Sequence, residues 1–189
     1  AEEAVRKALP GAVIVRPSII FGAQDGFFTT LAGQMQIFPL MPAIGGGNTK
    51  FQPVYVSDVA AAIAKTLGNA ASAGHTYELG GPEVYAFKDL IQYVGQETLN
   101  PRPLVWFPFV AASLIGIIGD IHAGLKGILA VLPEPLLTTD QVILLHSDNV
   151  VAADAKGLSD LGIAPTAVES IVPTYLWRFR KNGQFAVVA

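Results

Sequence analysis

Residues 12–22 read Ala12-Val13-Ile14-Val15-Arg16-Pro17-Ser18-Ile19-Ile20-Phe21-Gly22, and the order of residue types within them decides the fold. Ala12 to Arg16 is a short apolar run, mostly β-branched, ending in a charge. It predicts a strand of a sheet covered on both faces. Pro17 cannot donate to a ladder and ends the strand, and Gly22 closes the turn that follows. A covered strand that runs into a Pro-Ser loop places backbone groups at the carboxyl edge of an open α/β sheet, where ligands bind. Ahead of it, Glu2 and Glu3 followed by Arg6 and Lys7 match the dipole of a helix ending at Pro10-Gly11. Nothing in that short stretch supplies neighbouring strands, so the segment is expected to lie in the middle of a fold.

Composition narrows the classes. The 189 residues suffice for one domain with a sizeable core, or for a piece of a larger one. Apolar residues make up 51% and charged residues only 14%, against about a quarter charged in ordinary soluble domains. That deficit predicts surface covered by further chain, a partner or a membrane. A net charge of −3, without a basic stripe interleaved with aromatics, excludes a nucleic-acid partner. The chain has no cysteine, which removes a disulfide framework, a thiolate metal site and a cysteine nucleophile, and fits a cytoplasmic or otherwise reducing setting.

Periodicity places the remaining elements. Phe27, Phe28, Leu31, Met35 and Phe38 recur at helical spacing, so a helix is predicted over 27–37, ended by Pro39 and Pro42. Gly45-Gly46-Gly47-Asn48 is a tight turn; neither a phosphate-loop pattern nor a Gly-x-Gly-x-x-Gly is present anywhere. A strand is predicted over 51–56, with Ser57 capping a helix over 59–67 and Asp58 in its first turn. A strand over 76–79 and a helix over 87–98 follow. Leu132-Pro133-Glu134-Pro135 reads as a stiff connector, Thr139 as the cap of a helix to about His146, and 149–152 as a short extended piece. Thr166 and Glu169 form a capping box for a helix that Pro173 should kink, and Arg178, Arg180 and Lys181 read as its solvated end.

From Pro103 to Gly119 no charged residue occurs. The run falls short of the ~20 apolar residues of a spanning helix and is interrupted by Pro108 and glycines. It fits a buried helix, a protein contact surface, or an interfacial membrane contact with Trp106 and Phe107 at headgroup depth. His75, His122 and His146 lack partners at metal-ligand spacing, so no metal site is expected. Ser18 and Ser113 lack a Gly-x-Ser-x-Gly elbow.

Val-Ile-Val-Arg-Pro-Ser-Ile-Ile-Phe-Gly (13–22) resembles the signature that follows the catalytic helix in extended and atypical short-chain dehydrogenases/reductases, the epimerase/dehydratase superfamily. Phe51-Gln52-Pro53-Val54-Tyr55-Val56-Ser57-Asp58-Val59-Ala60 resembles its strand and helix start, and Gly74-His75-Thr76-Tyr77-Glu78-Leu79-Gly80-Gly81-Pro82 its late strand and Gly-Gly turn. Leu137-Thr138-Thr139-Asp140-Gln141-Val142, Ser147-Asp148-Asn149-Val150-Val151 and Leu161-Gly162-Ile163-Ala164-Pro165-Thr166 narrow the likeness to the NDUFA9-type branch of complex I accessory subunits. The resemblance implies the C-terminal part of a Rossmann-like NAD(P)-binding α/β fold, its last sheet strands lying in residues 1–80 with a loop at 38–50. A small, mainly helical substrate or partner domain is implied over 81–189, with some of its segments returning to the sheet.

The superfamily's chemistry uses a Tyr with a Lys four residues later on the same helical face, where the cation favours the phenolate. Four positions beyond Tyr55, Tyr77, Tyr85, Tyr93 and Tyr175 stand Val59, Gly81, Asp89, Glu97 and Phe179, so no catalytic residue is assigned. By the resemblance, the loop residues Pro17, Ser18 and Ile19 lie beside the nicotinamide of NAD(P). The implied function is an NAD(P)H-binding, non-catalytic accessory subunit that meets complex I subunits or a membrane-proximal protein surface, peripheral to the inner membrane. The alternative is an NAD(P)-dependent nucleotide-sugar epimerase, dehydratase or reductase with a small-molecule substrate, for whose diphosphate Lys50 and Arg102 are the obvious cations. Residues 1–189 alone are expected to be inactive, to bind no cofactor and to self-associate through an open sheet edge and apolar face.

Overall fold

A computed structural model of the protein describes residues 2–126 and 139–185; the 132–135 connector lies outside them. In chain order the first elements are α1 (Glu2–Ala8), β1 (Ile14–Pro17), β2 (Ile20–Phe21), α2 (Phe27–Ile37), β3 (Met41–Ile44), β4 (Lys50–Phe51), β5 (Val54–Tyr55) and α3 (Val56–Leu67). Then come β6 (Thr76–Leu79), β7 (Tyr85–Ala86), α4 (Phe87–Glu97), β8 (Leu104–Phe107), α5 (Phe109–Lys126), α6 (Thr139–Leu144), α7 (Val168–Ile171) and α8 (Pro173–Leu176). The chain forms two compact units. One comprises Ala1–Thr29, Phe51–Tyr85 and Val150–Trp177; the other comprises Thr30–Lys50, Ala86–Asn149 and Arg178–Ala189.

The first unit is α/β with parallel pairing, as the sequence predicts. β1 pairs with β6, Ile14 opposite Thr76 and Pro17 opposite Leu79. The far edge of β6 bridges Lys156 through Tyr77, and β2 pairs in parallel with β5. Alternation along the strands sends Val13, Val15, Tyr77 and Leu79 to one core with Val59 and Ala62 of α3 and Leu158 and Leu161. Phe21 is fully buried, its ring meeting Phe28 edge-on at 6.1 Å and Tyr55 at 5.6 Å. The Asp25 carboxylate caps α2 by accepting from the Phe28 and Thr29 amides at 2.6 and 3.2 Å, and also takes the Tyr175 hydroxyl.

The opposite face of β1 departs from the expected apolar cover. It carries Arg16, Thr76 and Glu78, and α1 answers with charge, having no buried residue. Arg16 gives Nε and one terminal nitrogen to the two oxygens of Glu2 at 2.8 and 2.6 Å, and the other to Glu78 at 3.0 Å. Among the described residues β1 has one strand neighbour.

Three local expectations are corrected. The predicted 51–56 strand is split at Gln52-Pro53, where Pro53 has no N–H to give; pairing resumes when the Val54 amide reaches the Ile19 carbonyl at 2.8 Å. β5 then runs straight into α3, so Tyr55 precedes the helix without a side-chain cap and Ser57 lies inside the first turn. The capping box does not form: the Thr166 amide and hydroxyl donate to the Asp58 carboxylate at 2.7 and 3.2 Å, and Glu169 accepts the Tyr85 hydroxyl at 2.9 Å. A carboxylate brought in by the tertiary fold is a stronger acceptor than the local reciprocal bond. Pro173 divides the predicted helix into α7 and α8, occupying the first turn of the second.

The second unit contains a parallel pair that the periodicity did not reveal: β3 against β8, Met41 opposite Leu104 and Ile44 opposite Phe107. Pro42 reads as a terminator in the sequence. It is tolerated because the Met41 amide faces β8, donating to Pro103 at 3.0 Å, so the missing amide of Pro42 points to the other edge. The glycine turn forms as expected, with φ of 59°, 82° and 66° at Gly45, Gly46 and Gly47. α4 buries Phe87, Leu90, Ile91 and Val94. It ends in a Schellman turn, with Leu99 at φ 53° and the Asn100 amide on the Gly95 carbonyl at 2.9 Å. Arg180 is not simply solvated: its Nε donates to the Glu97 carbonyl at 2.7 Å and it pairs with the Glu97 carboxylate at 3.6 Å.

The uncharged run is not a buried helix. Its first part is β8, its second the start of α5, and Trp106, Val110 and Leu114 are 67%, 76% and 60% exposed. No helix among the described residues is long and apolar enough to cross a membrane. α6 ends at Leu144, before the His146 that stacks on Phe109 at 4.0 Å.

Candidate functional site

β1 and β6 are parallel and end level, Pro17 opposite Leu79, so the Pro17–Ile19 loop and the Gly80-Gly81 turn leave the sheet from the same carboxyl edge. That edge is where open α/β sheets bind ligands. The Ser18 amide donates to the Leu79 carbonyl at 2.9 Å, extending the ladder one residue past Pro17. The Ile19 carbonyl receives the Val54 amide. Ser18 is buried, and its Oγ accepts the Gln52 amide at 3.3 Å. Pro17 is exposed and Ile19 half-buried. Of the three residues assigned to the nicotinamide, Pro17 and Ile19 therefore present surface, while the Ser18 hydroxyl holds the loop.

The residue that sequence reasoning did not single out is Gln52. Its Nε2 donates to the Gly81 carbonyl at 2.7 Å and its Oε1 accepts the Val151 amide at 3.0 Å. The turn is built around it: a Cβ on Gly80 would stand 2.5 Å from the Gln52 side chain, and one on Gly81 would stand 2.1 Å from the Pro53 carbonyl oxygen. The available signal was a lone amide side chain in an apolar strand, immediately before a proline.

The polar face of β1 carries the strongest electrostatics. The Ala152 amide, donating at 3.0 Å, and Arg16 hold Glu78 below the usual carboxylate range. Hydrogen bonding to Arg16 likewise lowers Glu2, and both carboxylates push Arg16 up. A shallow depression of about 330 Å³ on this face is lined by Arg16, His75, Glu78, Asp154 and Lys156, but not by Pro17, Ser18 or Ile19. Elsewhere in this unit, burial and the neighbouring Glu169 raise the Tyr85 hydroxyl.

The remaining candidates do not assemble. Lys156 Nζ lies 3.3 Å from His75 Nε2, His146 belongs to the second unit, and the side chain of His122 is outside the described set. The described residues contain no cluster able to hold a metal ion. In the second unit, Arg102 Nε is spent on the Met35 carbonyl at 2.9 Å and Lys50 is exposed.

No family model matches the chain. Curated relatives do. Over 97% of this chain it is 36% identical to "NADH dehydrogenase [ubiquinone] 1 alpha subcomplex subunit 9, mitochondrial" of Arabidopsis thaliana, of which it spans 46%. The Rattus norvegicus protein of the same description is 35% identical over 89% of the chain and 42% of its own length. The Neurospora crassa 40 kDa subunit of NADH-ubiquinone oxidoreductase is 29% identical over 97% and 46%. The chain thus spans about half the length of the relatives it matches.

Solved structures agree on the fold. The crystal structure of gox2253 superposes with a TM-score of 0.60 at 24% identity, covering 98% of this chain and 55% of that one. The Streptomyces venezuelae dTDP-glucose 4,6-dehydratase DesIV, crystallised with NAD, gives 0.60 at 13% identity over 95% and 47%. The parallel strands, the Pro-Ser loop at their carboxyl edge and these likenesses coincide: the chain is a homologue of the NDUFA9-type complex I subunits over the half of them that it spans, and it has the Rossmann-like fold of the NAD-dependent epimerases and dehydratases.

Proposed function

We propose that this chain is part of an accessory subunit of respiratory complex I that holds NAD(P)H without turning it over. The observation that carries the reading is 36% identity with the Arabidopsis thaliana subunit across 97% of the chain. Pro17, exposed, and Ile19, half-buried, fit the role of nicotinamide-side contacts because they are the members of the loop fixed at the carboxyl edge that present surface. The cofactor half in this reading is the unit of residues 1–29, 51–85 and 150–177, which holds the loop, and the partner half is the unit of 30–50, 86–149 and 178–189. In the partner half, Trp106, Val110, Leu114 and Ile117 offer exposed apolar surface without a charge between Pro103 and Gly119. The absence of cations on that run favours a protein surface over an anionic lipid one. In the source organism the protein then sits at the inner membrane with the other complex I subunits.

The test is native electrophoresis of solubilised membranes carrying the tagged complete protein. The expected result is co-migration with complex I, lost on Leu114→Glu with Val110→Glu while the purified double variant melts like the parent. Migration of the unaltered protein as a free species overturns the assignment. NADH binding by the complete protein, followed by the nucleotide's fluorescence, tests the cofactor role. The epimerase or dehydratase alternative draws on likenesses at or below 24% identity, which speak for the fold alone.

A further inference from the structure

We propose that Gln52 is the positioning residue of the carboxyl edge, the side chain that sets the Pro17–Ile19 loop against the Gly80-Gly81 turn and the segment at Val151. Three stretches distant in sequence meet on one residue. Its backbone amide goes to Ser18 Oγ at 3.3 Å, and its carbonyl accepts the Gly81 amide at 3.3 Å. Its side-chain nitrogen goes to the Gly81 carbonyl at 2.7 Å and its side-chain oxygen takes the Val151 amide at 3.0 Å. An amide is the side chain that offers a donor and an acceptor on one planar head, and both are used here. Pro53 follows directly and has no amide, so the strand cannot pin this edge by ladder bonds and the side chain does so instead.

Packing agrees with the bonding. The space that a Gly80 side chain would take is filled by Gln52 at 2.5 Å and Val151 at 2.7 Å, so the turn has no freedom to close without this residue. The Asp58 carboxylate performs a separate task at Thr166. The consequence for nucleotide binding rests on the cofactor reading above: a loop held at a fixed height presents Pro17 and Ile19 without an ordering cost on binding.

The experiment uses the complete protein and two variants, Gln52→Glu and Gln52→Met, with two readouts. The first is amide hydrogen exchange in peptides covering 17–22, 79–83 and 149–153; the second is the Kd for NADH. At pH 7.5, Gln52→Glu sets a carboxylate against the Gly81 carbonyl. Exchange is expected to rise on the order of tenfold in all three segments together, and Kd to weaken by a similar factor. At pH 4, below the ordinary Glu pKa of about 4.3, a mostly protonated Glu regains a donor, and exchange returns to within about twofold of the parent measured at the same pH. Gln52→Met, of similar size with neither donor nor acceptor, loosens the segments at both pH values. Unchanged exchange, a rise confined to one segment, or no recovery of exchange at pH 4 overturns the proposal. If the parent fails to bind NADH while exchange behaves as stated, the cofactor reading fails and the positioning role stands.

Discussion

Gly81→Ala places one methyl group where the structure has no room, and the cost can be worked from the contact. The new Cβ would lie 2.1 Å from the carbonyl oxygen of Pro53, where real Cβ atoms essentially never come closer than 3.0 Å. Backbone must therefore move by about 1 Å, and the neighbour cannot swing aside as a side-chain tip would. Pro53 stands between β4 and β5, and its displacement also strains the Gly81 amide bond to Gln52. Overpacking of this kind costs ~1–3 kcal/mol, and a rigid neighbour puts it at the upper end. With a urea slope of ~2 kcal/mol per molar, the midpoint falls by about 1–1.5 M. Gly33→Ala is the control: it lies inside α2 with nothing within 4 Å of the added Cβ. Helix propensity there gives a gain of about 0.5–1 kcal/mol, and the midpoint rises. The assay is equilibrium urea unfolding of the complete protein followed by far-UV circular dichroism. A Gly81→Ala midpoint equal to or above that of the parent would refute the steric reasoning and with it the tight Gly-Gly turn.

Three further expectations follow from particular contacts. Asp58→Ala removes both acceptors of Thr166 and should cost ~1–3 kcal/mol in thermal unfolding, whereas Glu169→Ala, which loses only the exposed bond from Tyr85, should cost less than about 1 kcal/mol. Glu78 has its pKa lowered from an ordinary value of 4.5, so its stabilisation is present above that pH and fades as pH falls below it. In a melting-temperature profile from pH 7 to pH 3, Glu78→Gln should flatten the acid limb; an unchanged limb contradicts the assignment. Arg180→Ala loses both the bond to the Glu97 carbonyl and the partly buried ion pair, for ~1–2 kcal/mol by urea midpoint, and Arg180→Lys should restore less than half of it.

Elements set by local sequence were legible because short-range physics fixes them. The strand over 76–79 has the bounds expected from its alternation, and helices α2 and α4 start at the predicted residue because Phe27 and Phe87 open apolar faces at helical spacing. The three glycines at 45–47 had to be a turn, since that run of positive φ is open to little else. What was not legible depended on partners far away in the chain. β3 and β8 are single-turn-length segments containing or flanked by prolines, and they become strands only because each is the other's partner across more than sixty residues. Thr166 and Glu169 satisfy the pattern of a capping box, yet the fold gives each a better partner.

For the site, the eleven residues from Ala12 to Gly22 determined by themselves that a strand ends in a Pro-Ser loop at the carboxyl edge of the sheet, and they carried the family likeness. β-branching and one proline suffice for that, because both act on the backbone they belong to. Only the tertiary structure decided how that edge is held. It turned the Ser18 hydroxyl inward, brought Gln52 between three loops, and left Pro17 and Ile19 at the surface. Hydrogen bonds between residues some thirty and a hundred positions apart leave no period or composition in the sequence, so their geometry exists only once the chain has folded.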